Sequence, residues 1–227
     1  MKEYVEKVKS YILFFLESYV FKKIRIQKQK NKHSIDWPKS QKDFKEFWLD
    51  TQAMKNYFDE SRLSFYKEVL EFIPASYGKI LDIGCGNGYF LSLIAQRSGL
   101  NGENMYGVDY VDSGFEIGKK ILPQGSFLCS FAEKLTFPNE TFDVVIMIET
   151  LEHLEKWRLA FKEALRVLKK GGMFIITIPD GNLDKWSGHT NFWSLDQFRK
   201  NILPYGKFKI RIIDKGRTFV GILKNKL

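Results

Sequence analysis

Residues 79–90 read KILDIGCGNGYF. An apolar run of strand character gives way to glycines at 84, 86 and 88, with an acid, Asp82, inside the run. Glycine visits left-handed backbone conformations without steric cost and lets a ligand approach the main chain closely. A strand that passes through such a turn into a helix leaves the helix's first N–H groups free at the carboxyl edge of a sheet. No other stretch restricts the fold as much, because strand–turn–helix units build parallel sheets through crossovers.

What the turn holds depends on its spacing. The dinucleotide fingerprint is GxGxxG/A, whose last small residue allows close helix–strand packing. Here the spacing is GxGxG, and Tyr89 stands where the third small residue belongs. A carboxylate at Asp82 repels a diphosphate and suits a ligand with an ammonium group. The turn therefore fits a zwitterionic amino-acid moiety better than a dinucleotide.

The rest of the chain supplies the sheet. Strand patterns fall at 79–84, 104–109, 126–131, 142–149 and 173–179, with helical patterns between them at 88–98, 112–120 and 156–169. The last helix is expected to end in KKGG, cations in its final turn followed by glycine. Segments 207–214 and 217–224 alternate across a Lys-Gly break and read as an antiparallel hairpin. Strands alternating with helices imply a parallel sheet covered on both faces. Ahead of it, Val5, Val8, Ile12, Phe15 and Tyr19 mark an amphipathic helix over 2–26, followed by a polar connector at 27–34. A second helical region, 41–72, is broken near Asn56 and ended by Pro74. The division is a helical extension or lid over 1–74 and an α/β domain over 75–227.

Charge and cysteine content narrow the setting. The net charge is +9, and residues 1–34 carry nine Lys/Arg against Glu3, Glu6 and Glu17. The basic character thus belongs to the arm, which suits a lid, an anionic membrane surface or phosphates. Cys85 and Cys129 form no disulfide framework and no zinc spacing, and no stretch reaches the roughly 20 apolar residues of a membrane span. A cytoplasmic location is expected. Cys85 fits its loop because it is small, and Cys129 is expected in the core.

The segment ILDIGCGNGYF resembles the first motif of class I S-adenosylmethionine-dependent methyltransferases. In order after it, YGVDYVD resembles their second-strand motif, CSFAEKLTFPNETFDVVIMIETLEHL their adenine loop and fourth strand, and EALRVLKKGGMFIITIPD their following helix and fifth strand. The resemblance covers about 79–180. It implies a Rossmann-like, doubly wound, seven-stranded, mostly parallel sheet with a C-terminal antiparallel hairpin and a helical N-terminal extension. It implies S-adenosyl-L-methionine as cofactor, bound by Asp82, Gly84, Gly86, Asn87 and Gly88 at the methionine end. Asp109, followed by Tyr110, would accept the ribose hydroxyls. Ala132 and Glu133 would meet the adenine edge. Ile148 and Glu149 would lie beneath the methyl-donating sulfur. Relatives often read GDAE where this chain reads SFAE, so Phe131 replaces an acid beside the adenine.

Methyl transfer needs alignment, exclusion of water and in some cases removal of a proton. In ETLEHL, a helical turn would put Glu149, Glu152 and His153 on one face, so His153 and Glu149 are the candidate catalytic residues. ExxEH also resembles a metal-binding segment of some O-methyltransferases acting on RNA 3′ ends or quinone precursors, with His189 as a further ligand; the reading assigns no metal. Trp186, His189, Phe192 and Trp193 are candidates for an acceptor pocket, with Ser194 capping a helix over 195–202. The acceptor expected is an O-nucleophile of a small molecule or of a lipid or glycan, with peripheral membrane contact through the basic arm. Nucleic acid is not expected. The alternatives are an NAD-linked oxidoreductase and a catalytically silent binding protein of the same fold.

Overall fold

The computed structural model describes residues 46–49, 59–99 and 102–225. The helix expected over 2–26, the connector at 27–34 and the break near Asn56 lie outside these residues. The expected 41–72 helix is represented by α1, Glu60–Leu70. Asp59 begins it, its carboxylate accepting from Arg62 N–H at 2.8 Å, as an N-cap acid does. It stops short of Pro74, and the Arg97 guanidinium donates to the Leu70 and Ile73 carbonyls at its end.

The sheet elements follow as β1 Ile80–Ile83, β2 Met105–Asp109, β3 Ser126–Cys129, β4 Phe142–Met147, β5 Leu168–Pro179, β6 Lys209–Ile213 and β7 Thr218–Lys224. The helices are α2 Tyr89–Ser98, α3 Phe115–Ile121, α4 Trp157–Val167 and α5 Leu195–Ile202. The seven strands form one sheet in the order β3-β2-β1-β4-β5-β7-β6. β1 to β5 are mutually parallel, and β7 runs antiparallel to both β5 and β6. The expected doubly wound sheet with its terminal hairpin is what the chain adopts.

Two hydrophobic layers hold it. Ile80, Val144, Ile146, Ile175 and Val220 face one cluster with residues of α1, α2 and α3. Leu81, Ile83, Val145, Met147, Phe174 and Ile176 face another, with residues of α4 and α5. This alternation follows from the two-residue period of a strand covered on both faces. The strand order reverses direction between β1 and β4, so a crevice opens at their carboxyl ends, where open α/β sheets bind ligands.

Three local expectations are corrected. Cys129 is exposed, not core, because β3 is the edge strand and only partly covered. α4 ends at Val167, and Lys169 and Lys170 lie in β5 instead of in a last helical turn. Lys169 Nζ pairs with Asp143 Oδ2 at 2.9 Å, and the pairing of β4 with β5 shifts register between Phe142 and Val144 to absorb the extra residues. β4 ends at Met147, so Ile148 and Glu149 belong to the following turn.

Phe161 is fully buried on α4, its ring 5.1 Å from Phe174 and 4.7 Å from Tyr205. Phe161→Ala is expected to cost about 3–5 kcal/mol, read by urea unfolding as a lower midpoint with unchanged slope. A loss under about 1 kcal/mol would contradict this packing.

Candidate active site

The bend after β1 is shaped by β2. Gly84 and Cys85 both donate their N–H groups to Val108 O, at 2.7 and 3.0 Å. Gly86 N–H donates to Asp109 Oδ2 at 2.9 Å, while Val111 N–H donates to Oδ1 at 3.1 Å. Gly84 and Gly86 are left-handed, with φ of 80° and 53°. A Cβ on Gly84 would sit 2.4 Å from Thr150 Oγ1, and one on Gly86 2.4 Å from the Trp48 ring. Both positions therefore require glycine twice over, by conformation and by space. Gly88 caps α2, and Asn87 Oδ1 accepts from Tyr89 N–H at 3.2 Å. The loop after β2 closes on this bend: a Cβ on Gly114 would lie 2.8 Å from Gly86 O.

Two carboxylates lie buried beside the bend. Burial first, and then the charge of Asp109, push Asp82 up to about 8. Asp109 is raised by burial to about 6, held back by the N–H groups of Gly86 and Val111. The Tyr110 N–H also bonds this carboxylate, so three backbone donors fix its orientation. Cys85 is buried between these acids, and burial raises its thiol far above the ordinary range, which makes it a poor nucleophile.

A cleft of about 940 Å³ opens over the bend. Its lining includes Asp82, Gly84, Gly86, Asn87, Asp109 and Tyr110. Phe131, Ala132 and Glu133 line it from the loop after β3, with the Phe131 ring exposed and Ala132 buried. Gly88 is absent from the wall. Its missing Cβ faces Phe127, which makes it a packing glycine beneath the loop.

The other half of the cleft comes from the loops after β4 and β5. Glu149 is left-handed at φ 52°, and its N–H donates to Thr177 Oγ1 at 2.9 Å. A 3-10 turn follows at Leu151–His153. The expected single helical turn from Glu149 to His153 is therefore not formed. Glu149 instead lies 3.8 Å from Arg62 of α1. Glu152 and His153 meet His189, and the three offer ligand atoms all within 4.8 Å of one another. Asn191 Nδ2 donates to Leu151 O (2.7 Å) and Leu154 O (2.9 Å), and Glu152 O accepts from Thr190 and Asn191 N–H. These bonds stitch the two loops into one wall. His189 Nδ1 pairs with Asp184 Oδ2, and Trp186 packs edge-on against both imidazoles.

Burial governs the charges here. It raises Glu152 far above the ordinary carboxylate range, with Glu149 adding to the effect. His153 is lowered to about 3, by burial first and then by His189. Burial also lowers His189, and Asp184 opposes it. Glu152 Oε2 has no hydrogen-bond partner. Of the four aromatic-loop candidates, Trp186 and His189 line the cleft. Trp193 is core, 4.8 Å from Trp157, and Phe192 is exposed with its ring 6.0 Å from His189. Ser194 begins α5 with a full capping box.

Sequence reasoning missed Trp48, Arg62, Thr150 and Asp184, all of which line the cleft. None belongs to the quoted motifs except Thr150, whose hydroxyl donates to Ile83 O at 3.1 Å beneath Gly84. The one available signal was the Asp184–His189 spacing within a loop following a strand.

A doubly wound sheet, a glycine bend and an acid ending the second strand define an α/β domain whose ligand crevice lies at the carboxyl ends of β1 and β4. Residues 81–176 match the family described as Methyltransferase domain. The ubiquinone biosynthesis O-methyltransferase of Bartonella quintana is 30% identical over 128 residues, covering 55% of this chain and 50% of that protein. The 2-methyl-6-phytyl-1,4-hydroquinone methyltransferase of Synechocystis is 29% identical over 150 residues, covering 56% and 45%. The chain spans about half the length of these curated relatives. The N-methyltransferase NodS of Bradyrhizobium japonicum, solved with S-adenosyl-L-homocysteine, shares the fold at a TM-score of 0.66 and 14% identity, over 81% of this chain and 97% of that one. Over residues 81–176 the chain is thus similar to S-adenosylmethionine-dependent methyltransferases.

The buried acids make stability depend on pH. A carboxyl whose folded pKa is raised binds more protons in the folded state, so its contribution is full below about 4 and fades as pH rises through the folded value. For Asp82 the window runs from about 4 up to about 8. Asp82→Asn is expected to flatten the fall of melting stability between pH 5 and 8, whose slope per such group is at most about 1.4 kcal/mol per pH unit. An unchanged pH profile would contradict the burial of a protonatable acid at this position.

Proposed function

We propose that the protein transfers a methyl group from S-adenosyl-L-methionine to a hydroxyl of a small, largely apolar aromatic acceptor. The observation that carries this reading is the shared cleft: Asp109 latched to the glycine bend on one side, and the Asp184–His189 pair on the other. The residues fit the cofactor. The bend presents bare backbone where a side chain would intrude, and two buried carboxylates are poised for a ligand that is cationic at one end and hydroxylated in the middle. Asp82, Gly84, Gly86 and Asn87 would hold the methionine end, with Gly88 fixing the bend from beneath. Asp109, with Tyr110 beside it, would take the ribose hydroxyls, a bidentate role suited to a carboxylate. Phe131, Ala132 and Glu133 would flank the adenine, and Ile148 and Glu149 the sulfur.

The cofactor supplies a methyl carbon activated by its sulfonium sulfur. The chain's part is alignment, exclusion of water and management of the acceptor's proton. A base near 3 is weak at neutral pH, so His153 serves as a neutral hydrogen-bond partner that orients the acceptor. His189, oriented by Asp184, takes the proton, as an imidazole does when a carboxylate holds its other nitrogen. Glu149, next to Arg62, keeps that wall in place. The relatives' names support an aromatic hydroxyl or a ring carbon of a quinone precursor as the class of acceptor. We place the protein in the cytoplasm on the strength of its two free cysteines. Among the described residues no helix is long and apolar enough to cross a membrane. Residues 1–74 are assigned as a lid-forming extension, which the position of Trp48 against Gly86 supports.

A second reading is favoured by Glu152. A buried carboxylate oxygen without a partner, beside two imidazoles held neutral by burial, is a ligand set for a divalent cation, with Asp184 orienting His189 from behind. Such a cation would lower the pKa of an acceptor hydroxyl bound to it.

Calorimetry with S-adenosyl-L-homocysteine tests the main reading. Binding is expected, weakened at least tenfold by Asp109→Ala; the absence of any binding would overturn it. With labelled cofactor and prenylated dihydroxybenzenes, His189→Ala is expected to lower kcat by about 10²–10⁴ while leaving cofactor affinity within a few-fold. Activity that survives exhaustive chelation, with no metal by elemental analysis, would rule out the cation.

A further inference from the structure

We propose that the rim of the cleft is a docking surface for an anionic lipid bilayer, from which an apolar acceptor enters the site. Only the acceptor clause rests on the methyl-transfer reading above; the contact itself does not.

The observation is where the exposed apolar side chains lie. Among the described residues, seven large apolar side chains are exposed. Four of them, Phe131 (62%), Leu159 (48%), Leu183 (61%) and Phe192 (40%), belong to the connections after β3, β4 and β5. All three connections leave the carboxyl edge of the parallel strands, the edge at which the cleft opens. Phe131 and Leu159 also line the cleft itself. Scattered exposed leucines need no explanation, but apolar tips gathered on the loops around a cleft mouth do.

The charges are sorted in the same way. Lys134, Lys156, Arg158 and Lys185 are exposed on these connections, and Lys134 and Lys156 share the cleft wall with Phe131 and Leu159. The carboxylates Asp82, Asp109, Glu149 and Glu152 stay on the inner wall, out of solvent or nearly so. Of the acids that line the cleft, Glu155 is exposed and Glu133, Glu149 and Asp184 are half-buried, against the four exposed cations of the rim. Apolar tips interleaved with cations match the headgroup boundary of an anionic leaflet: the tips enter the acyl region while the cations meet phosphate. A protein partner would be better served by one contiguous apolar patch with a polar margin than by separate tips on two loops and the first turn of α4.

The test uses the full chain and co-sedimentation with vesicles. Binding to phosphatidylcholine vesicles containing a quarter phosphatidylglycerol is expected, weak or absent on pure phosphatidylcholine, and reduced by high salt because the charge contribution is screened. The double variant Leu183→Glu/Lys185→Glu is expected to lower the partition coefficient at least tenfold, and Leu159→Glu severalfold, with unchanged melting temperatures because these side chains are exposed. Absence of wild-type binding overturns the proposal. So does wild-type affinity in the variants, which would place the contact elsewhere on the chain, such as the basic residues of 1–34. Self-association that the same substitutions abolish, without vesicle binding, would make the rim a protein contact and overturn it as well. If vesicle binding holds but S-adenosyl-L-homocysteine does not bind, the docking surface stands and the methyl-transfer reading falls.

Discussion

The bend after β1 keeps its shape because β2 holds it. Val108 O and the Asp109 carboxylate together take the N–H groups of three successive residues, Gly84, Cys85 and Gly86. A bend left without those acceptors would carry buried, unsatisfied donors, each costing about 1–3 kcal/mol. The two strands therefore have to be parallel neighbours for the loop to exist, and the crevice between β1 and β4 is the geometric consequence. Everything the cleft does depends on this latch, since it fixes bare backbone and a carboxylate within one bonded unit.

The opposite wall uses a different device. The loops after β4 and β5 have little regular structure, yet Glu152 O and the Asn191 side chain bind them to each other at several points. That stitching allows Glu152, His153 and His189 to converge although 36 residues separate His153 from His189. Glu149 is the strained point: a left-handed, non-glycine residue held by Thr177 at the end of the central strand. Such conformations cost of order 1–3 kcal/mol and persist where the surroundings over-determine them. Glu149 lines the cleft beside Arg62, which fits a residue placed for function more than for stability.

Much of this was legible in the chain. The strands of the sheet and helices α2, α4 and α5 begin or end within a few residues of the periodic patterns, because two-sided burial writes continuous apolar runs into β1, β4 and β5. Asp109 and the glycines were read from their order, and the structure brings them together. What was not legible came from contacts distant in sequence or from backbone irregularity. Trp48 touches Gly86 across 38 positions, and no periodicity links the two. Cys129 looks like core in an apolar strand and is exposed only because that strand ends the sheet. The left-handed turn at Glu149, which replaces the expected helical turn, is held by Thr177, 28 positions away on β5.

The central claim is that a buried, protonated acid beside the glycine bend meets a cationic end of the cofactor. Titration of S-adenosyl-L-homocysteine at pH 7 in two buffers of different ionisation enthalpy tests this directly, because the difference in apparent heat counts protons exchanged on binding. Asp82 lies near 8 in the unliganded fold, and an ammonium group brought against it would lower that value. The account predicts release of close to one proton per ligand, abolished by Asp82→Asn. Binding without proton exchange, or with proton uptake, would contradict it.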